Sequence, residues 1–250
     1  MTSRFFIIWG LRALLLGAVV GSWAWATGPG GVSPLLLPRI DLTLSSLGEF
    51  VKDPQLWSDL LLTVTEILFA FVISASAGVL IGFWGSRTAL RASVTEPLIA
   101  WGYMAPLVLF YPLFIIWFDI GMASKVSYSA LSGFFPIAFN SLRGFRAVDP
   151  RYVRVAHAFG ARPSQIDRMV KTQAALPMVM SGIRIGAAIN IITVILAEML
   201  ASARGLGYEL ARASQTLQIP QVFALIIILL VFVALMQMLI QRFSRAPQER

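Results

Sequence analysis

The chain has 250 residues, of which 58% are hydrophobic and only 13% are charged, a balance that excludes an ordinary soluble domain. Its formal charge of +8 does not indicate nucleic acid, because the basic residues cluster at the ends of apolar segments, as membrane topology requires. The absence of cysteine excludes disulfides, thiolate metal sites and cysteine nucleophiles, and the single histidine, His157, is too few for a histidine metal site.

A spanning helix needs roughly 20 mostly apolar residues. Six stretches meet this, at about 5–26, 59–83, 94–118, 122–142, 174–200 and 221–241. Continuous apolar runs such as 225–235 lack the alternation of a β-barrel. The fold class expected is therefore all-α, a polytopic membrane protein of about six transmembrane helices. Residues 1–58 form an N-terminal helix and link, and 59–250 form the core. The first span is read as a retained helix, since no small-residue cleavage site follows it.

With the N-terminus inside, the inner side holds Arg4, Arg87, Arg91, Arg242, Arg245, Arg250 and seven basic residues of one loop. The outer side holds only Arg39, Lys52, Lys125, Arg204 and Arg212. This positive-inside bias places both termini in the cytoplasm.

In chain order, Gly28–Pro29–Gly30–Gly31 ends the first helix, and 28–57 reads as a polar link of extended chain and turns. The second span carries Thr63, Glu66, Ser74, Ser76, Gly78 and Gly82, small and polar residues that let helices approach closely in lipid. The third contains Pro106 and Pro112, each removing a backbone donor, so a kink or break is expected there. Irregular backbone at membrane depth is buried in protein or faces a water-filled cavity. Trp101, Tyr103, Met104 and Tyr111 thus become candidates for a pathway lining, or else interfacial aromatics. The fourth span carries Pro136 and Asn140, the latter another pathway candidate.

A long loop follows, about 143–173, with Arg143, Arg146, Arg151, Arg154, Arg162, Arg168 and Lys171 against Asp149 and Asp167. In the fifth span Pro177 is assigned to the first turn. Gly182, Gly186, Asn190, Thr193 and Ala197 then recur at steps of four, four, three and four. They lie on one stripe, which packs against another helix or faces a pathway. Its polar members, Asn190 and Thr193, are pathway candidates. Glu198 lies off the stripe near the span's end, where water is expected to reach it. The sixth span is nearly featureless and reads as structural.

No Gly-x-x-x-x-Gly-Lys-Ser/Thr loop, Gly-x-Ser-x-Gly elbow or His-Glu-x-x-His helix is present. The intramembrane ionisable residues, Arg12, Glu66, Arg184 and Glu198, look scattered and do not form a proton relay. Energy is therefore expected from a partner, with the basic loop as its contact.

The loop and fifth span resemble the inner-membrane permease subunits of ABC importers, in the nitrate/sulfonate/taurine branch. The loop pattern there is Glu-Ala-Ala, three residues, Gly, nine residues, Ile-x-Leu-Pro; here Ala156, Gly160 and Val170 take the second alanine, glycine and isoleucine positions. Ala174–Ala175–Leu176–Pro177, Gly182–Ile183–Arg184–Ile185–Gly186, Ala197–Glu198–Met199 and Gly205–Leu206–Gly207–Tyr208 follow in the branch's order. Pro106, Pro112–Leu113, Trp117–Phe118 and Phe134–Phe135–Pro136 are similar upstream. The likeness covers about 35–242. Arg154 stands at the glutamate position, Val155 at an alanine, Thr172–Gln173 at the first Leu-Pro, and Glu66 where the branch tends to have arginine.

The resemblance implies a type I ABC importer permease that binds no cofactor itself. ATP and Mg belong to a cytoplasmic ATPase dimer, and a periplasmic or lipid-anchored binding protein delivers the solute. A second permease subunit, identical or paralogous, would complete the pathway. It further implies a coupling helix at about 152–162, with Arg154, Val155, Ala156, His157, Gly160, Ala161 and Gln165 as the ATPase-coupling residues. Two alternatives compete: an ion-coupled secondary transporter without an ATPase partner, and a loop that serves only as a basic anchor near anionic membrane lipid. A membrane enzyme would need clustered carboxylates or histidines at one face, which the sequence does not offer.

Overall fold

The computed structural model describes residues 2–245, with side chains from Trp9 to Arg242 except Ala13 and Leu16. Arg250 lies outside the described residues, and Arg4 and Arg245 lie outside the described side chains. No strand occurs among the described residues; the fold is all-α.

The elements, in order, are α1 (Thr2–Thr27), α2 (Ile40–Lys52), α3 (Pro54–Ser86), α4 (Ala89–Met104), a 3-10 turn (Leu107–Phe110), α5 (Tyr111–Phe118), α6 (Met122–Arg146) and α7 (Pro150–Ala158). A short lead (Pro163–Gln165) and a π-helical turn (Ile166–Lys171) run into α8 (Thr172–Leu200), followed by α9 (Leu206–Gln215) and α10 (Ile219–Arg245). Among the described residues, four helical stretches are long and apolar enough to span a membrane: Trp9–Thr27, Pro54–Ser86, Pro163–Leu200 and Ile219–Arg242. The α4–α5 pair is a fifth, bent by 83°. The break falls at Ala105–Pro106, as the prolines predict. The sixth expected span, α6, is 25 residues long but less apolar than the others. Most of it is buried in protein, so its surface need not match lipid.

Two expectations are corrected and one further helix is added. The 28–57 link contains α2, a 13-residue helix that the flanking Pro and Gly residues obscured. The chain between the last two spans contains α9. Helix also starts at Pro163, well before 174, so Pro177 lies inside α8 and leaves the Gln173 carbonyl without its usual backbone donor.

Two compact units result, one of Met1–Ser58 with Glu209–Val231, the other of Asp59–Tyr208 with Phe232–Arg250. In the first, the Trp23 indole donates to the Pro38 carbonyl at 2.9 Å and its ring lies 5.7 Å from that of Phe223. In the second, α6 packs most extensively on α8. Small residues allow it. A Cβ on Gly82 of α3 would lie 2.8 Å from the Ala138 carbonyl, and one on Gly186 of α8 would lie 2.8 Å from the Gly133 carbonyl. The stripe Gly182, Gly186, Asn190 and Ala197 is buried, with its glycines against α6.

Candidate functional site

The second unit carries functional groups at both of its ends. At one end α7 stands out from the bundle. Its start is set by Asp149, whose Oδ1 accepts from the Arg151 N–H at 2.8 Å, with Pro150 in the first turn where its missing N–H costs nothing. Its end is set by Gly160 at φ 77°, a left-handed conformation that glycine adopts without strain. There the Ala161 N–H reaches back to the Ala156 carbonyl at 3.0 Å. The helix thus runs Pro150–Ala158 and not 152–162; the capping residues, not the motif, fix its limits.

No residue of α7 is buried. Tyr152, Val155 and Phe159 are 59, 55 and 87% exposed, and their spacing puts them on one face. Arg154 and His157 are exposed beside them, while Ala156 is half-buried. Of the other expected coupling residues, Ala161 is half-buried. Gln165 is exposed but already engaged, its Oε1 accepting from the Arg162 N–H at 2.8 Å. The following turn is anchored by buried Ile166 and by Asp167, which pairs with Lys171 at 2.8 Å and Arg87 at 3.4 Å.

The opposite end is closed. Glu198 is fully buried, contrary to the expectation that water reaches it. Its Oε1 accepts from the Thr63 hydroxyl at 2.7 Å, and its Oε2 from the Gly207 N–H at 2.8 Å. Gly205, at φ 116°, turns the chain so close to this carboxylate that a Cβ there would overlap it. Thr63 also accepts from the Leu206 N–H at 3.1 Å. Beside them, buried Lys125 pairs with buried Glu66 at 2.5 Å and donates to the Ser202 hydroxyl at 3.1 Å. Neither carboxylate oxygen of Glu66 has a well-directed hydrogen bond among the described residues, so the ion pair is what compensates its burial. Arg204 meets buried Asp59 at 3.3 Å.

Sequence reasoning missed Asp59, Lys125, Ser202 and Arg204 here. One signal was available. Asp59, Thr63 and Glu66 are spaced four and three apart, one polar stripe on an otherwise apolar helix.

Between the two ends, Asn190 is fully buried. With its amide assigned by its hydrogen bonds, the nitrogen donates to the Ser129 carbonyl at 2.7 Å and the oxygen accepts from the Ser74 hydroxyl at 2.8 Å. It ties α3, α6 and α8 together. Thr193, half-buried, donates to the Ser129 hydroxyl at 2.9 Å. Asn140, half-buried, donates to the Pro136 carbonyl at 2.8 Å. Tyr111 is buried in an aromatic cluster with Phe114 and Tyr128. By contrast Met104 is 82% and Tyr103 42% exposed, the Tyr103 ring lying 6.3 Å from that of Phe139. The pathway candidates thus divide: Tyr103 and Met104 on an open surface, Tyr111, Asn190 and Glu198 in the interior, Asn140 and Thr193 between.

Apolar helices long enough to span a membrane, one of them broken at Ala105–Pro106, and an exposed helix between two others make this a multi-pass membrane protein. Residues 74–248 match the family described as binding-protein-dependent transport system inner membrane component, and the chain belongs to that family. The taurine transport system permease protein TauC of Escherichia coli is 29% identical over 219 residues, 86% of this chain and 80% of that one. The putative aliphatic sulfonates transport permease protein SsuC of Bacillus subtilis is 31% identical over 219 residues, 87% of this chain and 79% of that one. Together they bear out the nitrate/sulfonate/taurine type of ABC importer permease, a transport protein and not an enzyme.

Among solved structures, the fold is similar to a chain of the inward-facing MetNI methionine ABC transporter, with a TM-score of 0.58 at 20% identity over 84% of this chain and 98% of that one. It is also similar to a chain of a bacterial ABC transporter that imports the acidic polysaccharide alginate, with a TM-score of 0.66 at 12% identity over 98% of each chain.

Proposed function

We propose that this permease forms the solute pathway of an ATP-driven importer as a dimer and takes its energy from a cytoplasmic ATPase through α7. The observation that carries this is the exposed face Tyr152, Val155 and Phe159 on a capped helix with no buried residue. A short helix that buries nothing gains little from its own chain; apolar residues on it are accounted for by a partner. Arg154, Val155, Ala156, His157, Gly160, Ala161 and Gln165 lie on or next to this helix. The ATPase binds ATP and Mg, and this chain binds neither. Arg154 in place of the usual acid calls for a complementary acid on the ATPase surface.

The positive-inside distribution supports an arrangement with both termini and α7 in the cytoplasm. The Lys125–Glu198 end then faces the periplasm, where a binding protein delivers a small solute. A related alginate transporter has been solved with its pentasaccharide-bound periplasmic protein, which supports that partner class. Tyr103 and Met104 are the candidates for lining the pathway between two subunits.

The test is Gly160→Pro. Proline fixes φ near −65°, whereas Gly160 sits at 77°, so the end of α7 is redirected while the spans are untouched. The variant inserts in the membrane but loses ATP-driven uptake. Normal uptake, or uptake that continues with a hydrolysis-dead ATPase, contradicts the proposal.

A further inference from the structure

At the α7 end, a polar pocket of ≈ 280 Å³ is lined by Phe83, Ser86, Arg87, Arg146, Asp167 and Lys171, among others. An apolar groove of ≈ 480 Å³, formed by Leu80, Ile81, Phe83, Trp84 and Arg87, shares Phe83 and Arg87 with it. Three cationic side chains thus meet one carboxylate in the pocket. Asp167 holds Lys171 at 2.8 Å but Arg87 only at 3.4 Å, and Arg146 is held from outside the pocket by Glu96 at 2.7 Å. Positive charge in the pocket exceeds what Asp167 compensates.

The groove is built differently. Leu80 is 65% exposed and Trp84 48% exposed, both on a helix long and apolar enough to cross a membrane. The Arg87 guanidinium lies 4.8 Å from the centre of the Phe83 ring, and that of Arg91 lies 4.8 Å from the centre of the Trp84 ring. Such arginines lay their stems along apolar surface and carry their charge at the membrane boundary. A basic pocket that continues into an apolar groove at a helix end matches one class of molecule, a phosphate attached to an acyl chain.

We propose that this is a binding site for an anionic phospholipid, with the headgroup phosphate among Arg87, Arg146 and Lys171 and one acyl chain along Leu80, Ile81 and Trp84. The site requires only that the helices span a bilayer, and does not depend on the ATPase reading. A lipid held there bridges the α3–α4 turn, the end of α6 and the π-helical turn that follows α7.

The test uses the full chain reconstituted in phosphatidylcholine vesicles doped with brominated phosphatidylglycerol or, in parallel, brominated phosphatidylcholine. Quenching of Trp84 is isolated by difference from a Trp84→Phe variant. The anionic lipid is preferred by roughly fivefold for each basic residue that reaches the phosphate. Replacing Arg87, Arg146 and Lys171 together by Gln abolishes the preference, and Arg146→Gln alone, which leaves the contacts of Asp167 in place, reduces it roughly fivefold. Equal quenching by the two lipids in the native chain overturns the proposal, with no variant needed. So does a preference that survives the triple substitution. Loss of the preference to inorganic phosphate, beyond a chloride control of equal ionic strength, would assign the pocket to free phosphate and overturn the lipid site as well.

Discussion

The two ends of the Asp59–Tyr208 unit treat charge in opposite ways. Around α7, the arginines are exposed, and apolar Tyr152 and Phe159 stand out among them. At the other end, Glu66, Lys125, Glu198 and Asp59 are all buried and engaged with one another's neighbours. An exposed charge keeps its water and is free to meet a partner. A buried charge has given up its water and is fixed by the few groups around it. The first end therefore leaves its side chains accessible, and the second holds the α8–α9 connection against α3 and α6.

This contrast breaks most sharply at Lys125. Lys125→Met leaves Glu66 buried without its counter-ion, and removal of one partner of a buried pair costs about 3–5 kcal/mol. Thermal unfolding in detergent should show a large loss, most of it restored when Glu66→Leu is added. If Glu66→Leu does not rescue, the pair is not the unit described here. Next in size is Gly186→Val, which forces α8 off α6 at Ile137 and Gly133 and costs about 1–3 kcal/mol by overpacking, read by the same melt.

Asn190→Leu removes hydrogen bonds from Ser74 and Ser129 in the interior, and about 1–3 kcal/mol of stability is lost with them. A change in uptake without a change in melting would return Asn190 to the pathway. Smallest in stability is Phe159→Ala: an exposed residue at the end of α7 shifts stability by no more than about 0.5 kcal/mol, yet this variant should lower solute-stimulated ATPase activity in the assembled transporter. A melting change as large as that of Lys125→Met would mean that α7 is held by its own chain and is not offered to a partner.

Much of the fold was legible because membrane burial writes long signals. Apolar runs located the spans, and Pro106 located the break. The helices α2 and α9 were not legible, since each is short, amphipathic and bounded by residues that also mark loops. The α7 site was visible through Gly160 and its spacing, although its limits came from Asp149–Pro150, which the motif does not include. The buried cluster was hidden for a different reason. Glu66, Lys125 and Glu198 come from three helices, and nothing in the local sequence of any one of them names its partners. Glu198 looked wetted because it sits near a span's end; the turn at Gly205 that covers it is a tertiary feature.

The central claim, that α7 is the contact with the ATPase, is most directly tested by cross-linking. The chain has no cysteine of its own, so Val155→Cys introduces a single thiol on the exposed face of α7. Paired with single cysteines placed across the surface of the ATPase, it should form a disulfide in the assembled transporter. Ser202→Cys at the opposite end should form none with the same set. A cross-link from Ser202→Cys, or none from Val155→Cys at any ATPase position, would contradict the account.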